Sequence, residues 1–152
     1  MGLKNFICVA LAASAMTVGV QAYGQNTASW SLSYSDSEEV HKLIYGGRNS
    51  DGEIYMRCRT RDDFVFVIFG VKSREDYALL EAGNAEVLAP ARTAVDEVGG
   101  GFYSEIAIPS EHDLFGEMAK GKALRLLGRS YPVLSATEQR SIANFARICG
   151  TD

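Results

Sequence analysis

The alternation of apolar and polar positions changes period several times along the chain. WSLSYS sets Trp30, Leu32 and Tyr34 against serines, the period-two pattern of a strand with one buried face. SDSEEV reads as a turn and HKLIYGG, residues 41–47, as a second strand. RNSDGE holds the Asp51-Gly52 pair, which favours a tight reversal. In EIYMRCRT, Ile54, Met56 and Cys58 share one face, and Tyr55, Arg57 and Arg59 share the other. This spacing predicts an inward Cys58 and outward arginines. RDD turns the chain. FVFVIFGV, Phe64–Val71, is apolar on both faces and rich in β-branched and aromatic residues, which predicts a central strand covered on both sides.

KSRED makes another turn, and the pattern then weakens. Residues 78–86 are permissive of helix, but Gly83-Asn84 interrupts them. Strand pieces are expected near residues 85–88, 92–98 and 102–108, with Gly99, Gly100 and Gly101 turning between the last two. PSEHDLFGEMAKG then has the marks of a helix: Ser110 as N-cap, acids in the first turn, a stripe of Leu114, Phe115 and Met118, and Gly121 just past the end. KALRLL and YPVL read as strands joined by GRS. The last element, SATEQRSIANFARICG, opens with a capping box of Ser135 and Glu138. Ile142, Phe145, Ala146 and Cys149 fall on one helical face, and Gly150 stands where a C′ residue is expected.

These elements predict a mainly β fold, a β-sandwich or flattened barrel of about seven or eight mostly antiparallel strands. Two helices pack on it, the C-terminal one against the sheet. Cys58 points inward from a strand, and Cys149 lies on the apolar face of the last helix. The two periodicities aim both thiols at the core. Cys8 falls in the segment of residues 1–22, which has the charged start, short apolar run and A-x-A-like end of a cleaved signal peptide. Its apolar run is shorter than the roughly 20 residues that span a bilayer. Cleavage near Ala22 leaves Cys58 and Cys149, a pair expected to be oxidised in the periplasm or outside the cell. Residues 23–29 read as a flexible terminus and residues 30–152 as a single domain.

The formal net charge is −4, and loss of Lys4 with the leader makes it about −5. An acidic chain of this kind is not built for general nucleic-acid or anionic-membrane binding, and no later stretch is apolar enough to cross a membrane. Arg57, Arg59 and Arg61 alternate beside Tyr55. Such a strip can hold a phosphate, a carboxylate or an acidic peptide; the more ordinary reading is a solvated strand face balanced by Asp62 and Asp63. The glycine-rich stretch of residues 99–105 lacks the lysine-hydroxyl pair of a phosphate loop and is followed by a strand. It reads as a hairpin whose Gly100, Phe102 and Tyr103 offer a second candidate surface. Trp30, Tyr34, Tyr45, Tyr55 and Tyr103 either line a binding face or belong to the core. His112 and Asp113 are adjacent on a helix and so do not face each other. No triad, carboxylate pair or metal cluster assembles by spacing around His112 or His41, so neither a metal nor a cofactor is expected.

Residues 43–58, LIYGGRNSDGEIYMRC, resemble the opening of small exported proteins of unknown function in Gram-negative proteobacteria. Ala136–Cys149 is similar to their closing amphipathic helix with a terminal cysteine. The order of signal, Trp30, first cysteine, strands and cysteine-ending helix also resembles the invasion-associated locus B family and a type VI secretion accessory family. The resemblance implies a periplasmic β-rich module and carries no catalytic residues. A looser one, through YMRC and GGGFY, is to the periplasmic C-type lysozyme inhibitors. The expected function is a non-enzymatic binding or accessory module taking a protein or an anionic ligand of the cell envelope. Inhibition of a cell-wall hydrolase is the alternative, and a hydrolase using His112 or His41 comes last.

Overall fold

The computed structural model describes residues 28–47, 52–97 and 99–150. The signal segment, residues 23–27 of the polar terminus, Asp51 of the Asp-Gly pair and Val98 lie outside the described residues. Ten strands and two helices follow in order: β1 (Ser29–Ser35), β2 (Val40–Gly46), β3 (Ile54–Cys58), β4 (Phe64–Val71), β5 (Tyr77–Ala82), β6 (Ala85–Pro90), β7 (Arg92–Val95), β8 (Phe102–Pro109), α1 (Asp113–Ala119), β9 (Leu124–Leu126), β10 (Arg129–Tyr131) and α2 (Ala136–Cys149). One sheet has six strands, ordered β1-β2-β3-β4-β8-β7, and the other has four, ordered β10-β9-β5-β6. Every pairing is antiparallel. The expected mainly β fold with a C-terminal helix on the sheet is therefore present.

Strands β2, β3, β5, β8 and β9 bury alternate residues, as a two-residue period requires. Trp30, Leu43, Ile54, Met56, Val67 and Ile106 come from one sheet, and Ala78, Leu80, Leu124 and Leu126 from the other. With Leu114, Phe115 and Met118 of α1 and Ile142 and Phe145 of α2 they form one core. Thus the six-stranded sheet turns one face to the second sheet and the helices. Trp30, Tyr45 and Tyr131 are core residues in a chain of ring contacts, tilted at 5.1 Å and edge-to-face at 5.2 Å between centroids. Burial, then the Glu53 and Glu138 carboxylates, push the Tyr45 phenol above its ordinary pKa.

Several local expectations are corrected. The helix-permissive residues after Asp76 form strand β5, with Ala78, Leu80 and Ala82 inward. Small inward residues hid its alternation from the sequence pattern. Gly83, at φ +57°, is the first of the two residues joining β5 to β6, the place a type II′ turn reserves for glycine. Helix α1 is capped by His112 rather than Ser110: His112 Nδ1 accepts from the Leu114 amide at 3.1 Å. The hairpin β9–β10 turns at Leu127-Gly128, not at GRS, and residues 132–134 leave the sheet. Gly150 is the C-cap of α2 with an extended backbone, φ −63°, and not a left-handed C′ residue.

Helix α2 is pinned at both ends. Near its C-terminus Cys149 is bonded to Cys58, with Cα atoms 5.7 Å apart and a sequence separation of 91. The Ile148 carbonyl also accepts from the Arg61 amide at 2.9 Å. At the N-terminus Ser135 Oγ accepts from the Glu138 amide at 3.2 Å, as the capping box predicts. The Glu138 carboxylate goes further than the box requires. Buried, it accepts from the Leu134 amide at 2.8 Å, from Ser135 Oγ at 2.9 Å and from the Trp30 amide at 3.0 Å. Because β1 is an edge strand, that last bond satisfies a backbone donor no strand can reach.

Replacing both Cys58 and Cys149 with serine should lower the unfolding free energy by about 3–5 kcal/mol, since the bridge closes a long loop in the unfolded chain. Urea unfolding of the variant beside the oxidised protein measures this, and an unchanged midpoint contradicts it.

Candidate functional site

The second face of the six-stranded sheet is open. Register places its residues in rows that run across the strands. One row is Ser31, Ile44, Tyr55, Ile68, Glu105 and Arg92. The next is Ser33, Lys42, Arg57, Phe66 and Ala107. Ile68 is buried among these neighbours, while Ile44, Tyr55 and Phe66 are half-buried. Strand β4 was expected to be covered on both sides; instead Phe66 is half-buried and Phe64 is 45% exposed. Among the described residues this face of β4 is only partly covered: Ile68 is buried, Phe66 half-buried and Phe64 exposed.

Phe66 is the centre of this face. The Arg57 guanidinium lies over its ring, 5.7 Å from the centroid, within the range of a cation–π contact. Arg57 then reaches across β4 to Glu105, with Nη2 to Oε2 at 2.8 Å. Two depressions flank the ring. The larger, about 600 Å³, is bounded by Glu38, Val40, Arg57, Arg59 and Asp62. The smaller, about 420 Å³, is bounded by Pro90, Arg92, Glu105 and Ala107. Each therefore joins the apolar wall of Phe66 to an arginine at its rim.

The charges are only partly balanced. Lys42 pairs with Glu38 at 2.9 Å and Arg57 with Glu105. Among the described residues the guanidinium groups of Arg59 and Arg92 enter no ion pair. Asp62 accepts from the Arg59 backbone amide at 3.4 Å. A ligand that lays an apolar group on Phe66 and offers carboxylates to Arg59 and Arg92 matches this arrangement.

The sequence-derived candidates divide. Tyr55 and Arg57 lie on the open face of β3, and Arg59 follows just beyond its end. Arg61 does not continue the strip: it sits in a turn at φ +56°. The glycine hairpin, taken from sequence as a separate surface, belongs to the same face. Tyr103 is opposite Gly70, one row from Tyr55 and Ile68, and is 44% exposed. Gly70 leaves open space there, which keeps the Tyr103 ring accessible. Phe102 pairs with Val71 and points the other way, while Gly100, at φ +74°, shapes the turn. Phe66 and Arg92 were missed; the clue to Phe66 was an apolar residue on the face of β4 that its neighbours Tyr55 and Arg57 mark as outward.

His112 spends Nδ1 on the α1 cap. His41 stacks on Tyr34, with ring centroids 4.7 Å apart, and its Nε2 is 3.2 Å from Thr60 Oγ1. Among the described residues no group of three or more His, Cys, Asp and Glu is placed to hold a metal, and no helix is long and apolar enough to cross a membrane. No protein-family model, no curated protein and no solved structure matches the chain.

The Arg57–Glu105 pair lies partly in solvent, with side chains 38% and 24% exposed. A double-mutant cycle of Arg57→Ala and Glu105→Ala should give a coupling of about 1 kcal/mol or less, shrinking as salt is added. A coupling of several kcal/mol that ignores salt would contradict a surface pair.

Proposed function

We propose that this protein is a non-enzymatic binding module of the cell envelope whose working surface is the open face of the six-stranded sheet. The observation that carries the reading is Phe66 set between two depressions, each with an arginine at its rim. The ligand is a protein segment presenting apolar and acidic side chains together. Export follows from the signal-like residues 1–22 and agrees with the Cys58–Cys149 bond, which persists in oxidising compartments. The test is photocrosslinking from positions 55 and 103 in envelope extracts. A captured partner should bind at least about tenfold more weakly when Phe66→Ala and Arg59→Ala are combined, the variant remaining folded by circular dichroism. Equal affinity for the variant and the parent would overturn the assignment of this face.

A second reading has one observation in its favour. Tyr103 stands exposed at the end of a turn built from Gly100 and Gly101, at φ +74° and +96°. A projecting aromatic on a glycine turn suits an inhibitor entering the cleft of a cell-wall hydrolase. Such an inhibitor slows lysozyme in a turbidity assay, and Tyr103→Ala abolishes the effect. Lysis at the uninhibited rate with excess protein removes this reading.

A further inference from the structure

The four-stranded sheet also has an open face, and its residues fall in register. Tyr77 is opposite Pro90 and Leu79 opposite Leu88; Glu81 has Glu86 on one side and Arg125 on the other. Tyr77, Leu79 and Leu88 are 59%, 41% and 65% exposed, whereas Ala78, Leu80 and Ala89 between them are core. Three large apolar side chains at adjoining cross-strand positions make a patch of the kind that marks an interaction surface. Leu127, the residue after the last β5–β9 pair, is also exposed. It is held at φ +48°, a conformation that costs a branched side chain energy.

The charged row beside this patch indicates what covers it. Across the sheet it runs Arg125, Glu81, Glu86, basic at the β9 side and acidic at the β6 side. A partner of uniform charge repels one end of that row. A second copy can set each end against its opposite. Rotation about a two-fold axis along β5 lays the β9 column of one copy over the β6 column of the other. Arg125 then meets Glu86 of the second copy twice over, once on each side of the axis. Leu79 and Glu81 each meet their own counterpart; the one like-charge contact, Glu81 on Glu81, is flanked by Arg125 of each sheet and is outnumbered by the two Arg125–Glu86 contacts. The same axis keeps the strands of the two sheets aligned, the usual geometry of sheets stacked about 10 Å apart.

We propose that the protein forms a two-fold dimer through the outer face of β5, β6 and β9, with Leu79 and Leu88 at the centre and Arg125–Glu86 pairs flanking them. This surface adjoins the Phe66 face at one corner, where Pro90, opposite Tyr77, also bounds the smaller depression. The larger depression, bounded by Arg57 and Arg59, shares no residue with it.

Analytical ultracentrifugation of the purified protein over a concentration series tests it. A concentration-dependent dimer is expected. Leu79→Lys with Leu88→Lys should leave a folded monomer whose melting temperature no longer depends on protein concentration, as both side chains are exposed. Glu86→Arg alone and Arg125→Glu alone should each raise the dimer dissociation constant about tenfold or more. The two reversals together should restore it, which neither general stickiness nor a different partner explains. The proposal is overturned if the parent stays monomeric up to about 0.5 mM, weaker than the range of stable assemblies. It is equally overturned if the lysine variant still dimerises, or if the double reversal associates no better than the single ones. Crosslinking at the Phe66 face is read independently in the same variants, so the failure of one surface is distinguishable from failure of the other.

Discussion

The attachment of α2 across the inner side of the sheets is the constraint on which the remaining structure rests. Ile142 and Phe145 supply core that no strand provides. A helix of 14 residues is marginal by itself in water, so its position must come from tertiary bonds. The Cys58–Cys149 bridge fixes one end, and the Glu138 carboxylate fixes the other to the Trp30 amide. The two fastenings differ in kind. The bridge acts chiefly by restricting the unfolded chain. The carboxylate acts in the folded state, where removing it strands buried amide donors.

With the inner faces committed to one core, the binding we propose falls to the outer faces. The six-stranded sheet carries the Lys42–Glu38 and Arg57–Glu105 pairs on its open side. Glu38, Arg57 and Glu105 also bound the depressions beside Phe66. Arg57 illustrates the double role: it covers part of an aromatic ring and spans β4 to a carboxylate on β8. Its side chain is therefore held in one arrangement by two contacts.

Much of this was legible from residue spacing. The inward turn of Cys58, the buried stripe of α2, the Ser135–Glu138 cap and the outward turn of Tyr55 and Arg57 all follow from a period of 2.0 or 3.6. What escaped was non-local. Strand β5 is written in alternating small residues, Ala78 and Ala82, that carry little hydrophobic signal. The open side of β4 was hidden because an apolar residue reads alike whether a second layer lies over it or not. That Tyr103 shares a face with Tyr55 depends on β4 and β8 being neighbours, a fact of pairing that no window of sequence contains. The second role of Glu138 likewise needs a contact across 108 residues.

That separation bears on how the molecule comes into being. Synthesis delivers β1 first and α2 last, yet the Trp30 amide finds its acceptor only in the final helix. Until that helix emerges, the inner side of the growing sheet has no lid and its apolar side chains remain wet. Completion thus belongs to the whole polypeptide rather than to any early portion, and topologies dominated by such distant meetings assemble slowly. The interval between the first strand and the last turn is the stage at which this chain most needs shielding from its neighbours.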